Sequence, residues 1–339
     1  MKSNNSILSF DDICKSEKRI RNHVIKTPIL TNEFLNEKLG ARIYFKAENF
    51  QKTGSFKIRG AANKILSYQE KYKKFPEKIV AVSSGNHAQA VANLVKIFGI
   101  QDNIIYMEKK ASQYKIQATK NHGANVFLTE NRKDTEIFAK KKVEEGYFFV
   151  HSSNDDEILC GQGTACLEAL EEIEEIDAVF APCGGGGLIA GTYLSCQNLK
   201  NKPKIFAVEP LIANDAAITF KTKTLYSFEE SPNTIADGTR TLNVSDATLP
   251  YIMKLDGIYE ITENDIIYWT QWITSLLKIS IEPTSALAMA GCYQFLKELK
   301  KQNKNYNPRI LVILSGGNMS AATASTVWQN DHLINLPQI

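Results

Sequence analysis

The stretch DAVFAPCGGGGLIAG, residues 177–191, runs from an apolar segment through four consecutive glycines into a helical pattern of small residues. A strand that halts at glycines and resumes as a helix is the repeating unit of a parallel sheet with helices on its faces. Gly184, Gly185, Gly186 and Gly187 clear every side chain from the turn, so backbone N–H groups can converge on an anion at the helix N-terminus. A plain turn has no need of four glycines, each of which loses more conformational freedom on folding than any other residue. The stretch therefore predicts a phosphate cradle. Gly185-x-Gly187-x-x-Ala190 also fits a loose dinucleotide fingerprint, with Glu209 about twenty residues on to hold a ribose hydroxyl. At this point an NAD-dependent oxidoreductase is a rival reading. No Gly-Lys-Ser/Thr follows the glycines, which disfavours a Walker-type site.

The same alternation extends in both directions. KIVAVSS (78–84) reads as a strand, followed by the helix GNHAQAVANLVKIFG (85–99), whose Ala90, Val91, Leu94, Val95 and Phe98 keep helical spacing. DNIIYME (102–108) is a strand, and SQYKIQATKNHG (112–123) a helix stopped by Gly123. ANVFLT (124–129) and YFFVHSS (147–153) bracket a lysine-rich helix over 132–145, while KIFAVEP (204–210) and RILVILSGGN (309–318) complete the series. Repeated strand–helix units predict an α/β fold with a mostly parallel sheet covered on both faces. The region 220–250 lacks periodicity and is expected to be a loop-rich segment near a site.

Bulk properties exclude several classes. A length of 339 residues suits about two domains, and 43% hydrophobic with 23% charged residues is ordinary globular composition. The net charge of +3 is spread without a basic stripe, so no nucleic-acid partner is expected. No apolar run approaches the ~18 residues of a membrane span. The opening segment MKSNNSILSFDDICKSEKRI carries early acidic residues and no long apolar core, unlike a signal peptide. Cysteines at 14, 160, 166, 183, 196 and 292 show no paired spacing, which fits a reduced, cytoplasmic chain.

Chemistry enters at GSFKIRGA (54–61), where Lys57 stands between Phe56 and Ile58. A lysine that loses water there has a lowered pKa and becomes a nucleophilic amine, the requirement for a Schiff base to a carbonyl. VSSGNHAQA (82–90) places Ser83, Ser84, Asn86 and His87 in a polar turn at a helix N-terminus, suited to a carboxylate. His87, alone on that turn, reads as an orienting group rather than a metal ligand. Ser315 follows a buried strand, at the edge where open sheets bind ligands, and its hydroxyl can meet a ring nitrogen. An aldehyde for Lys57, a phosphate for the glycines and a ring for Ser315 are united in pyridoxal phosphate.

The ordered set GSFKIRGA, SSGNHAQA, GQGT, GGGGLIAG, AVEP, IADG, EPTSA and LSGGN resembles the serine/threonine dehydratase and serine racemase branch of the fold-type II (β-family) pyridoxal-phosphate enzymes. The likeness covers about residues 15–325. It implies two open, twisted, mostly parallel sheets, with a large domain (1–50 and 150–339) interrupted by a smaller mobile one (51–149). It implies that Lys57 joins the cofactor, with Phe56 beside the ring, Asn86 on the ring's 3-oxygen and Ser315 at the pyridine nitrogen. Gly184, Gly185, Gly186, Gly187 and Leu188 would hold the phosphate, and Gly238 would lie over the cofactor. Ser83, Ser84, Asn86 and His87 would line the substrate carboxylate.

The activity that follows is β-elimination of L-serine and L-threonine to a keto acid and ammonia, in a homodimer. Two alternatives share the scaffold: serine racemase and 3-hydroxyaspartate ammonia-lyase. Plain dehydratases commonly read S-A-G-N-H where this chain reads S-S-G-N-H, as the racemases do; Ser84 could return a proton on the face opposite Lys57. Racemase and hydroxyaspartate-lyase members tend to carry an arginine where Thr135 stands here, with Arg132 three residues earlier. If Arg132 or Arg240 reaches the pocket, an acidic substrate fits. Glu209, the Ala213 carbonyl and Asp215 match a divalent-cation site of the racemase-like members, with hard oxygen ligands for Mg²⁺ or Ca²⁺.

Overall fold

A computed structural model describes residues 8–83, 85–302 and 307–339. In chain order the strands are β1 (Ile29–Leu30), β2 (Arg42–Ala47), β3 (Lys78–Val82), β4 (Asp102–Glu108), β5 (Val126–Thr129), β6 (Phe148–Phe149), β7 (Ala178–Pro182), β8 (Lys204–Pro210), β9 (Gly257–Ile261) and β10 (Arg309–Leu314). The helices between them are α1 (Phe10–Ile20), α2 (Glu33–Leu39), α3 (Lys57–Tyr72), α4 (Asn86–Ile97), α5 (Gln113–Asn121), α6 (Arg132–Glu144) and α7 (Asp156–Leu170). They continue with α8 (Gly187–Ser195), α9 (Asp215–Thr222), α10 (Leu249–Ile252), α11 (Glu263–Leu277), α12 (Pro283–Lys301) and α13 (Ala321–Val327). The expected helix over 132–145 is α6, and the strand expected over 147–153 shrinks to β6: Val150 N–H still donates to the Val80 carbonyl at 3.0 Å, whereas Ser152 and Ser153 line a cavity.

Six strands form one sheet in the order β1-β2-β10-β7-β8-β9, and four form another in the order β5-β4-β3-β6. Every pairing is parallel except β1 with β2. Strands covered on both faces need apolar side chains on both, and all five residues of β7 are buried. On one face of the larger sheet Phe180 and Phe206 stack at 5.0 Å between ring centres, and Phe295 of α12 closes on both. The smaller sheet comes from one contiguous stretch, whereas the larger draws strands from both sides of it.

Helix α7 binds the layers together because it is nearly bare of bulk where its neighbours cross. A Cβ on Gly161 would lie 2.6 Å from the Arg59 carbonyl and from the Gly60 Cα, so α3 and α7 touch backbone to backbone. Beside this crossing is a buried ionic cluster. Arg59 donates to both Glu48 oxygens at 2.7 and 2.8 Å and to both Glu168 oxygens at 2.7 and 2.8 Å. Lys46 donates to Glu168 at 2.6 Å and Thr27 to Glu48 at 2.6 Å. Burial alone would raise the Glu48 carboxyl, but the Arg59 charge and its hydrogen bonds, with Lys46 and Thr27, hold it below the usual range.

Adding a methyl at position 161 must push α3 off α7. Gly161→Ala is expected to lower stability by roughly 1–3 kcal/mol, read as a fall in thermal midpoint. An unchanged midpoint would show that the crossing tolerates a wider separation.

Candidate active site

Lys57 opens α3, and the turn before it is fixed from the far end of the chain. Phe56 N–H donates to the Ser315 carbonyl at 3.1 Å, Gly317 N–H to the Gly54 carbonyl at 2.9 Å, and Ser55 bridges Gly316. Thr53 sits at φ +63°, a strained setting for a β-branched residue, while its carbonyl accepts from Asn318 at 2.7 Å. Lys57 thereby enters a cavity of about 970 Å³ between the two sheets. Its Nζ donates to the Ser152 carbonyl at 3.1 Å and lies 5.0 Å from the centre of the Phe56 ring. Burial pulls the amine down to about 8, with Glu282 opposing the shift.

Phe56, Lys57, Ser83, Asn86, His87, Gly184–Leu188, Gly238 and Ser315 all line this one cavity. Ser84 lies outside the described residues. Glu209, Ala213 and Asp215 do not line it. Glu209 is buried and accepts from the Ala216 and Ala217 amides at 3.3 and 2.9 Å, so it offers nothing to a ribose in the cavity.

The glycine turn leads from β7 into α8. Gly186 adopts φ +85°, and a Cβ there would meet Thr248 and Ile252 at 2.7 Å. The Gly185 carbonyl accepts from the Thr248 hydroxyl at 2.9 Å and from Ser245 N–H at 3.2 Å. In a planar trans peptide the N–H points opposite the carbonyl, so the Gly186 N–H is turned away from these anchors. The first turn of α8 adds N–H groups that have no intrahelical partner. Ser153, also at the lining, reaches Ser245 hydroxyl to hydroxyl at 2.7 Å.

A second wall is acidic. Glu282, at the start of α12, is buried and accepts from the Asn86 amide through both carboxylate oxygens, at 2.8 and 3.0 Å. Burial raises its carboxyl to about 7, against Lys115, while Asp237 adds to the rise. Lys115 of α5 pairs with Asp237 across the gap between the small-sheet and large-sheet halves. His87 pairs through Nε2 with the Val150 carbonyl at 2.8 Å; burial first, then Lys57, holds it down to about 3, so the ring is neutral. Arg132 and Arg240 also line the cavity: Arg132 donates to the Arg240 carbonyl at 3.2 Å, and Arg240 anchors on the Thr234 carbonyl. The loop-rich segment expected near a site supplies Ser231–Ile235 and Asp237–Thr241 to the lining.

Glu282, Lys115, Asp237 and Ser153 were not assigned roles from sequence. EPTSA and IADG contained two of them, but only tertiary contacts turn those motif neighbours into a charged wall.

Away from the cavity, Glu209 and Asp215 are both buried. Burial, then the Asp215 charge, pushes Glu209 well up; burial raises Asp215 to about 7. Asp215 lies near its own amide and that of Val244, yet neither carboxylate oxygen completes a hydrogen bond among the described residues. No cluster of three or more acidic, histidine or cysteine side chains able to hold a metal is found among those residues.

Acetylation of Lys57 by acetic anhydride, quantified by peptide mass spectrometry, should rise with pH and reach half its maximum near 8. An ordinary lysine reaches that point at about 10.4. A midpoint above 10 would contradict the buried placement.

A family model described as pyridoxal-phosphate dependent enzyme matches residues 20–316. L-threo-3-hydroxyaspartate ammonia-lyase of Saccharomyces cerevisiae is 34% identical over 324 residues, covering 94% of this chain and 96% of the relative. The structure of maize serine racemase superposes with a TM-score of 0.86 at 32% identity, over 95% of this chain and 96% of that one. A threonine deaminase from T.th. superposes with a TM-score of 0.83 at 34% identity, over 92% of this chain and 99% of that one.

Proposed function

Because the chain belongs to the pyridoxal-phosphate-dependent enzymes, in the fold-type II branch of serine racemase, threonine deaminase and hydroxyaspartate ammonia-lyase, we propose that it eliminates water from 3-hydroxyaspartate, releasing a keto acid and ammonia. The observation that carries elimination is Lys57, a buried amine facing a cavity that also holds the glycine turn and Ser315. The observation that favours an acidic substrate is that two arginines, Arg132 and Arg240, belong to the same lining, their guanidinium groups held by the Arg240 and Thr234 carbonyls. This shifts the expected preference away from L-serine and L-threonine. The dinucleotide reading falls with the family match and with the burial of Glu209.

The lining suits the cofactor on chemistry: a neutralisable amine, anion-binding amides and a buried hydroxyl. When bound, pyridoxal phosphate supplies an electron-withdrawing ring that acidifies the α-hydrogen of an amino acid joined to it. Lys57, whose amine burial lowers to about 8, is free to take that proton in a far larger fraction near neutral pH than an ordinary lysine. The amides of Gly184–Leu188 would hold the phosphate, with Phe56 and Gly238 on the same lining to flank the ring. Asn86, tied to Glu282, would meet the ring's 3-oxygen, and Ser315 its nitrogen. Ser83, Asn86 and His87, which line the cavity, would meet the substrate carboxylate, and the proposal includes Ser84 on its sequence motif. Arg132 and Arg240 meet the second carboxylate, where a charge-assisted hydrogen bond is stronger than a neutral one. The 51–149 segment serves as a mobile cover, latched by Lys115 on Asp237.

A panel of L-threo-3-hydroxyaspartate, L-serine and L-threonine, with keto acid followed, tests this. Hydroxyaspartate should be the best substrate, and Arg132→Ala should cut its kcat/KM by about 10- to 100-fold while sparing serine, the loss of one hydrogen bond to a charged group. Equal losses on all three, or a better rate with serine, would reverse the substrate assignment. The second reading, racemisation, is favoured by Ser84: in the same panel, D-enantiomer formation should vanish in Ser84→Ala with keto acid spared.

A hard divalent cation, Mg²⁺ or Ca²⁺, is part of the proposal, held by Glu209, the Ala213 carbonyl and Asp215. The fit rests on two buried carboxylates whose shifts no neighbouring cationic side chain offsets among the described residues, and on the unpartnered Asp215 oxygens. After chelation, adding Mg²⁺ or Ca²⁺ should raise the thermal midpoint by several degrees, and Asp215→Asn should abolish the response. No shift with either ion would remove the site. Homodimer formation belongs to the same reading and is read by sedimentation.

A further inference from the structure

Cys166, within α7, and Cys196, which closes the C-terminal end of α8, are both fully buried, and their sulfur atoms lie 3.9 Å apart. Both are free thiols. The crossing of their helices holds them face to face. A Cβ on Gly163 would lie 2.7 Å from the Gly191 carbonyl oxygen, and one on Gly191 would lie 2.5 Å from the Gly163 nitrogen, so α7 and α8 meet backbone to backbone. The hydroxyl of Ser195, beside Cys196, is shared between the Gly163 and Gly191 carbonyls at 2.8 and 2.9 Å. Residues 166 and 196 therefore stay opposed. A disulfide sets its sulfurs about 2.05 Å apart, so the pair has to close by about 2 Å, a distance that rotation about the two Cα–Cβ bonds supplies.

We propose that Cys166 and Cys196 are a modification site, oxidised by hydrogen peroxide to a reversible disulfide. The Cys196 sulfur attacks one peroxide oxygen: an S–O bond forms, the O–O bond breaks, and the displaced hydroxide takes up the thiol proton and leaves as water. The Cys166 sulfur then attacks the sulfenic sulfur: an S–S bond forms, the S–O bond breaks, and a second water carries away the remaining proton. The two thiols give up two electrons, and one peroxide accepts them. Cys196 makes the first attack because it stands at a helix end, with half-buried Gln197 and exposed Asn198 next along the chain. Cys166, in the interior of α7, is the resolving thiol.

In the resting protein the hydrogen bond with Cys166, then burial, holds the Cys196 thiol well above its ordinary value. The thiolate is the nucleophile, so oxidation is slow and waits on opening of the last turn of α8. The pair thus answers sustained peroxide rather than a brief exposure. Neither cysteine lines the cavity, so the site is independent of the cofactor reading. The chain between the two holds β7, the glycine turn and α8. The disulfide closes that segment into a covalent ring, which restricts the unfolded chain and stabilises the fold.

The test treats the reduced, full-length protein with hydrogen peroxide at neutral pH without denaturant, alkylates the remaining thiols, cleaves at glutamate and reads the peptides by mass spectrometry. Residues 158–168 should appear joined to residues 176–209, lighter by two hydrogens, and dithiothreitol should separate them. Two of the six thiols should be lost on oxidation and recovered on reduction. The same peptides carry Cys160 and Cys183, so Cys160→Ala and Cys183→Ala should keep the link, whereas Cys166→Ala and Cys196→Ala should lose it. The oxidised wild type should unfold several degrees above the reduced protein. Six thiols that survive the treatment, a link through Cys160 or Cys183, or a link that forms only in denaturant overturns the proposal. Conversion to sulfinic or sulfonic acid without a cross-link overturns it as well. Should an alanine variant fail to fold, fragmentation of the joined wild-type peptides still locates the bond.

Discussion

The molecule is organised around the contact of the Arg59 guanidinium with two carboxylates in a space without water. Arg59 spreads its donors over Glu48 and Glu168, and Lys46 balances the second acid. Two positive and two negative groups leave the cluster neutral, and the planar fork of arginine meets both acids with paired hydrogen bonds. Removing one member of such a group typically costs about 3–5 kcal/mol, because its partner is left charged and dry. The cluster joins the end of β2, the first turn of α3 and the last turn of α7. Lys57 sits two residues before Arg59, so whatever fixes Arg59 also fixes the root of the reactive amine.

Charge accounting then separates the other buried ionisable groups. Arg59 and Lys46 are matched by carboxylates at hydrogen-bonding distance and are structural. Lys57 has no carboxylate in contact among the described residues; a carbonyl and an aromatic ring are its neighbours, and burial lowers it. Glu282 is satisfied by an amide rather than a cation and is raised. The shift in each case follows from the same balance between lost hydration and nearby opposite charge. Groups left out of balance cluster at the cavity, where reactivity is wanted, and at Glu209 and Asp215, where an added cation would restore neutrality.

Sequence made the fold legible where residue type and conformation are tightly coupled. Four glycines between a strand and a helix permit few alternatives, and the buried runs KIVAV and RILVIL read as covered parallel strands. Lys57, Asn86, Gly184–Leu188 and Ser315 were found because each lies in a local motif, and the structure gathers them on one lining. What escaped was partnership over distance. Nothing in the spacing of Lys115 and Asp237 reveals that they pair, and Glu282 announces its contact with Asn86 only once α12 and α4 are docked. Strand length failed at YFFVHSS, whose last two serines line the cavity instead of extending the sheet. Arg132 was ambiguous for the same reason: sequence gives a residue type, whereas reach depends on which turn of α6 faces inward.

The parallel pairing of β2 with β10 has a bearing on biosynthesis. The larger sheet places a strand from near the beginning of the chain beside the last strand in chain order among the described residues, and the turn preceding Lys57 is clipped to the segment just after that strand. On the ribosome, the smaller sheet, drawn from contiguous residues, can assemble while translation continues. The lysine's pocket cannot, since its opposite wall has not yet been made. Until then the amine keeps the hydration of an ordinary lysine, and the burial that lowers it to about 8 is complete only once that strand docks.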